Sequence, residues 1–362
     1  MKVILAHDSY TQYGGAERVF EGMHEMYPDS PAYTLVVDKK LQKYVKGWDI
    51  RTSPLQNLYN WYGNMQHLFG LIPFVLPFFK LEKADLLLSS SSAYMKGLKK
   101  PYGLIHINYC HTPSRFIWSD HAYALGEVNP LLRPLARVYL WWLKKWDYKA
   151  AQTVDFFLAN GKEVQGRIKE FYNRDSEILH PFINTHYWKP TREKGDYFLI
   201  AGRLTPYKDY DKVILAFNEL GWPLHVIGTG RYENYLRSIA KDNVIFLGNV
   251  DDEALRYQYS GARGFIYPQL EDFGMMPLEA ACCGTASLGL AKGGTLETIV
   301  PHQTGELLEK VDMHTLIEAL KNWDESKFQT QTLIAHAQKF SKAEFQNKLK
   351  MFLEKTLSSK TV

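Results

Sequence analysis

Residues 264–297 run GFIYPQLEDFGMMPLEAACCGTASLGLAKGGTLE, and this stretch decides the fold. A short apolar strand over 264–267 stops at Pro268, and a loop then carries Glu271, Asp272 and Phe273 past Gly274. Residues 276–283 have helix-forming composition and hold Glu279, and a second short strand is expected over 286–290. Gly293 and Gly294 follow, and 295–300 look like a helix start whose free N–H groups would suit a phosphate. Glu271 and Glu279 stand eight residues apart, one before the helix and one inside it. They are therefore not the i,i+4 pair of a solvated helix face.

Upstream of this stretch the pattern repeats. Strands are expected over 197–201, 224–227 and 244–247, with helices over 211–220, 232–240 and 252–259. The first half has the same grammar: strands over 2–6, 31–37, 85–88, 104–110 and 155–159, with Gly14 and Gly15 opening a helix striped by Val19, Phe20 and Met23. Residues 180–190, HPFINTHYWKP, break the periodicity between two prolines and are the expected hinge. The expected division is an N-terminal domain over 1–182, a C-terminal domain over 183–340, and a terminal helical segment, 341–362, that could brace the first domain. Helices are expected over 313–320 and 345–353, and 358–362 should fray. A chain of 362 residues suffices for two such domains.

The net charge of +4 permits anionic small molecules or surfaces as partners without selecting nucleic acid. Three cysteines, Cys110, Cys282 and Cys283, with no CxxC and no secretory leader, fit a reducing cytoplasm. No apolar run is long enough to span a bilayer. Two stretches, 55–83 and 131–149, interleave aromatic rings with lysine and arginine. They suit either core helices with a solvated basic face or an interfacial contact with an anionic membrane.

The groups that could do chemistry follow strands. Arg203 and Lys208 flank Pro206 between a strand and a helix, where two cations suit a diphosphate; by themselves they are ordinary surface bases. Gly228 and Gly230 form a lone G-x-G, which is equally a tight turn, and no dinucleotide fingerprint is complete. Glu279 could accept two ribose hydroxyls and Glu271 the hydroxyls of a transferred sugar, or both could cap nearby amides. His111 follows a strand in INYCHTPSRFIW, with Arg115 and Trp118 close along the chain; a lone histidine is also often a satisfied structural residue. His7, Asp8 and His111 have no metal spacing, and the polar run 89–92 has no placed base that would make a serine nucleophilic.

Taken together, GGAERV, HTP, GRLTPYKDYDKVI, the E-x(7)-E pair and KGGTLETI resemble family 4 of the retaining, nucleotide-sugar-dependent glycosyltransferases, over nearly the whole chain. The closest likeness is to bacterial and archaeal GDP-mannose-dependent mannosyltransferases of O-antigen or exopolysaccharide assembly. One departure is Gly284-Thr285-Ala286-Ser287 where the family commonly has Gly-x-Pro-Val. The resemblance implies an α/β glycosyltransferase B fold, two Rossmann-like domains facing a cleft, with acceptor bound by the first and donor by the second. It gives His111, Arg203, Lys208 and Glu271 catalytic roles. It assigns donor binding to Gly14, Gly15, Gly228, Gly230, Asp272, Phe273, Gly274, Met275, Glu279, Gly293 and Gly294, and puts Asp8 and Arg115 on the acceptor side. It implies no metal or other cofactor. The expected donor is GDP-mannose, with a UDP-hexose or GDP-deoxyhexose as alternatives. The expected acceptor is a polyprenyl-diphosphate-linked glycan met at the cytoplasmic face of the cell membrane. A phosphorylase or epimerase, a non-catalytic nucleotide-sugar binder and a nucleic-acid binder are the competing readings.

Overall fold

A computed structural model describes residues 1–126 and 128–358, with the backbone alone at 66, 67 and 122–124. The expected fraying of 358–362 falls, beyond residue 358, outside the described residues. The chain divides into two units, Met1–His180 and Pro181–Val362. The helix Lys342–Ser358 lies in the second, where Phe345 meets Phe182 at 5.2 Å between ring centroids.

In the first unit the described strands are β1 (Val3–His7), β2 (Ala32–Thr34), β3 (Ile50–Thr52), β4 (Leu86–Ser91), β5 (Ile105–Cys110), β6 (Phe156–Ala159) and β7 (Ser176–Ile178). They form one parallel sheet in the order β3-β2-β1-β4-β5-β6-β7. Strands covered on both faces need apolar text, which VILA of β1 and LLL of β4 supply; His7 and the serines 89–91 that close the two strands are buried polar residues. Their register sets Leu5 against Leu88 and His7 against Ser90. The order reverses between β1 and β4, so the crevice where such sheets bind ligands opens beyond His7 and Ser91.

The second unit repeats the plan with β8 (Phe198–Ala201), β9 (Leu224–Ile227), β10 (Val244–Gly248), β11 (Gly264–Tyr267), β12 (Ser287–Leu290) and β13 (Gly305–Leu308). Its parallel order is β10-β9-β8-β11-β12-β13, and it reverses between β8 and β11. Pro268 stops β11 because a proline cannot donate to the ladder. The helix Met275–Cys282 starts at Gly274, whose φ of 83° is left-handed. Thr285, at the departure from the family pattern, is buried ahead of β12 and donates its hydroxyl to the Tyr259 carbonyl at 2.6 Å.

The helix Arg133–Gln152 is pinned by a buried charge to the turn Met95–Gly97 and to the helices Arg115–Trp118 and Lys162–Tyr172. Asp147 pairs with Lys96 Nζ at 2.6 Å and accepts from Trp118 Nε1 and the Tyr172 hydroxyl, both at 2.8 Å. The opposite face of this helix stays in solvent: Leu135, Val138 and Trp141 are 70%, 63% and 60% exposed. Residues of the 55–83 stretch pack beside it, with Phe74 stacked on Trp142 at 5.2 Å and the Tyr139 hydroxyl donating to the Gly70 carbonyl. Leu68, Ile72 and Leu76 turn into the core, while Trp61, Phe74 and Phe78 stay exposed. Both stretches therefore divide their rings between core and surface. No described helix is long and apolar enough to cross a membrane.

Candidate active site

In the second unit, the loop after β8 carries Gly202, Arg203 and Lys208, and the loop after β11 carries Glu271. The strand order brings the two loops side by side. Lys208 is buried, and its Nζ stands 3.4 Å from Glu271 Oε1. Burial pushes the Lys208 ammonium below the ordinary lysine value; Glu271 pulls it back up and Arg203 adds to the depression. Arg203 is exposed, with no ion pair or hydrogen bond of its side chain among the described residues. A cation held in low dielectric beside an exposed second cation is suited to a diphosphate, whose charge would complete the set.

The loops owe their shape to glycines, and the protein itself explains why. A Cβ on Gly228 would collide with the Gly202 carbonyl, and one on Gly230 with that of Leu204. The same backbones are laced by Gly202 N–H to the Ile227 carbonyl and Leu204 N–H to the Thr229 carbonyl, both at 3.0 Å. The G-x-G thus clears space for the Lys208 loop. Gly293 and Gly294 do the same for the acid loop. Gly294 N–H donates to the Glu271 carbonyl at 2.9 Å, and a Cβ there would overlap the Phe273 backbone. The helix beyond is a single turn, Thr295–Thr298. Phe273 is buried with its ring 5.7 Å from Phe340. Asp272 and Met275 are half-buried beside it in sequence. Glu279 is 5% exposed, inside the helix Met275–Cys282, and its charge raises the pKa of Tyr259 and Cys282 after burial, the larger cause.

In the first unit the reversal point holds a cavity of about 430 Å³ lined by His7, Asp8, Glu17, Tyr59, Tyr94 and Phe116 among others. Asp8 faces it with a carboxylate already bound by four backbone amides: Ser92 and Ala93 at 2.7 and 2.8 Å on Oδ2, Tyr94 and Met95 at 3.0 and 2.8 Å on Oδ1. That fills the acceptor positions of the carboxylate and fixes the loop after β4. Arg115 opens the short helix Arg115–Trp118.

His111 sits at the end of β5. Its Nε2 is 2.7 Å from Ser90 Oγ, and its carbonyl accepts from Asn160 Nδ2 at 2.8 Å. Burial, then His7, depress its pKa to about 3, so the ring is neutral at ordinary pH. Ser90 Oγ is also 3.1 Å from His7 Nδ1, and His7 Nε2 lies 3.8 Å from Glu17 Oε1. Glu17 Oε2 in turn accepts the Gly14 N–H at 2.8 Å, at the mouth of the helix Gly15–Met26. His7, Glu17 and Ser90 escape sequence reasoning as site residues. The available signals were a histidine closing the first strand, an acid just inside the glycine turn, and a serine run ending a buried strand. Among the described residues no group of three or more His, Cys, Asp or Glu side chains is arranged to hold a metal ion.

Residues 184–342 match the family described as Glycosyl transferases group 1. The chain is 33% identical over 134 residues, 33% of its length and 35% of the relative's, to a GDP-mannose-dependent monoacylated alpha-(1-6)-phosphatidylinositol monomannoside mannosyltransferase of Corynebacterium glutamicum. It is 28% identical over 176 residues, 44% of its length and 48% of the relative's, to the O-antigen chain mannosyltransferase RfbU of Salmonella typhimurium. The matched stretches thus span less than half of these two relatives. The crystal structure of Anabaena Alr3699/HepE in complex with UDP superposes with a TM-score of 0.70 at 14% identity, covering 98% of this chain and all of that one. This likeness identifies the fold as glycosyltransferase B.

Proposed function

We propose that the chain, whose residues 184–342 are a group 1 glycosyl transferase domain, is a retaining hexosyltransferase that moves an α-mannosyl unit from GDP-mannose to a lipid-linked glycan. The observation that carries this reading is the meeting of Lys208 with Glu271 at 3.4 Å, with Arg203 alongside, at the reversal point of the second sheet. The cations suit a departing diphosphate and the acid suits the hydroxyls of the sugar that leaves it. Both mannosyltransferase relatives favour mannose as the sugar.

In this reading the bond from the anomeric carbon to the β-phosphate breaks while Lys208 and Arg203 neutralise the charge that develops there. The acceptor oxygen bonds the same carbon from the same face and gives its proton to the departing phosphate oxygen. Glu271 holds the sugar and Glu279 the ribose, and His111 contacts the sugar. No metal and no covalent enzyme intermediate is needed. The exposed apolar face of the helix Arg133–Gln152, with Lys145 3.7 Å from the centroid of the Trp141 ring, supports contact of the first unit with an anionic membrane at the cytoplasmic face. A lipid-linked acceptor would be met there.

The test is transfer by the purified chain from labelled GDP-mannose to a lipid-linked acceptor, with GDP and the lengthened glycan as products. Transfer from another nucleotide sugar instead would overturn the donor. No transfer across a broad panel of donors and acceptors would overturn the enzyme.

A further inference from the structure

The four side chains Glu17, His7, Ser90 and His111 form one continuous line through the first unit, from the glycine turn to the end of β5. Sequence scatters them, and the pairing of β1 with β4 and of β4 with β5 assembles them. Glu17 and His7 are 5% and 3% exposed. A carboxylate buried so deeply is costly unless its environment uses the charge. Here it accepts the Gly14 amide on one oxygen and faces His7 Nε2 with the other.

The proton positions follow from chemistry. A serine hydroxyl has one proton, so Ser90 donates to one of its two imidazole partners and accepts from the other. The carboxylate of Glu17 favours a proton on the His7 nitrogen that faces it, Nε2. A neutral His7 is then bare at Nδ1 and accepts from Ser90 Oγ. Ser90 must accept from His111 Nε2–H. His111 Nδ1 is left with a lone pair and no hydrogen bond among the described residues.

We infer that Glu17, acting through His7 and Ser90, fixes His111 in the tautomer protonated on Nε2 and so presents Nδ1 as an acceptor for a hydroxyl of the transferred sugar. Glu17, His7 and Ser90 are positioning residues. Because the same carboxylate holds the Gly14 amide, the glycine turn and the histidine share one anchor. A His7 protonated on both nitrogens would reverse the line and turn His111 Nε2 into the acceptor, which makes the inference refutable. The contact with sugar rests on the proposed function; the tautomer does not.

The experiment is long-range proton–nitrogen correlation NMR on the full chain with ¹⁵N-labelled imidazoles, His111 being assigned by its loss in His111→Gln. The expected result is the Nε2–H pattern in the parent, replaced in Ser90→Ala and in Glu17→Gln by mixed tautomers or by the Nδ1–H form. An Nδ1–H His111 in the parent, or an unchanged Nε2–H pattern in both variants, would overturn the inference. If either variant does not fold, the parent spectrum and the other variant still decide. In parallel, transfer kinetics of Glu17→Gln should lose at least tenfold in kcat with donor KM within about twofold. A tautomer change without a rate change would remove the sugar contact, and the absence of transfer by the parent would sink the proposed function while leaving the tautomer result standing.

Discussion

Replacing Lys208 by methionine keeps most of the side-chain volume and removes the charge. The Nζ of Lys208 already stands 3.4 Å from one oxyanion, so it can approach a phosphate oxygen as closely. At an effective dielectric of about 20, such a separation corresponds to about 5 kcal/mol of Coulomb energy. Part of this attraction is already taken up by the pair with Glu271, and losing one preorganised group of this kind typically costs about 2.7–4 kcal/mol. The expected fall in kcat/KM is therefore about 10²–10³-fold. Glu271 keeps 25% of its side chain in water, so stability should change by only about 1 kcal/mol. Initial rates of sugar transfer, read beside the melting temperature, separate the two effects. Lys208→Arg, which keeps a cation, should fall between the parent and the neutral variant. A Lys208→Met protein that turns over within threefold of the parent, at an unchanged melting temperature, would refute the assignment of this lysine to the leaving diphosphate.

Other consequences can be checked with the same preparations. The depressed pKa of Lys208 means that its charge disappears below the ordinary lysine value, so the rate should decline on the alkaline side earlier than a free lysine would dictate, and Lys208→Arg should extend the active range upward. His106 is buried and His111 half-buried, and desolvation lowers the pKa of each to about 3. The unfolded chain takes up their protons as pH falls from about 6.5 towards 3, so each should remove about 1.4 kcal/mol of stability per pH unit across that window and none above it, as urea titrations would show. On the exposed helix face, changing Leu135, Val138 and Trp141 together to glutamate forfeits about 1–2 kcal/mol of apolar transfer at each position. Flotation with anionic vesicles should fall at least 100-fold, and unchanged flotation would remove this face from membrane contact. Gly294→Ala drives a methyl into the Phe273 backbone, and should cost transfer rate through displacement of the Glu271 loop even where the protein still folds.

Most of the sheet framework was legible because a parallel strand buried on both faces has to be written in apolar residues. β9 and β11 fall where the text expects them, and β1 within a residue. The strands that escaped notice are β3, β7 and β13. The first two are edge strands of three residues, IRT and SEI, and β13 is GELL; none has more than a fragment of apolar pattern. At the site, Lys208 reads as an ordinary surface base when taken alone, and Glu271 as a possible cap; they stood out through their shared place just beyond strand ends and through the resemblance to the glycosyltransferase family. Their ion pair was not legible, since it depends on which strands are neighbours. The glycine pairs had a visible spacing but an ambiguous cause: a ligand and a neighbouring backbone both exclude a Cβ, and only coordinates show that Gly202, Leu204, Glu271 and Phe273 do so here. Glu17, His7 and Ser90 needed two strand pairings before they could be seen as a line.

The lacing of the loops around Lys208 and Glu271 has a consequence for how such a protein can change. Their frame is chiefly main chain against main chain: a Cβ on Gly228, Gly230 or Gly294 would meet backbone, and one on Gly293 the Glu271 carbonyl and the Leu270 side chain. Residues that point away from that frame can be exchanged without moving it. Preference for one sugar over another can therefore drift through side-chain replacement alone, while a change at any of the four glycines removes the scaffold on which every such preference is built. A library aimed at a new donor should leave Gly228, Gly230, Gly293 and Gly294 untouched and vary what lies between them.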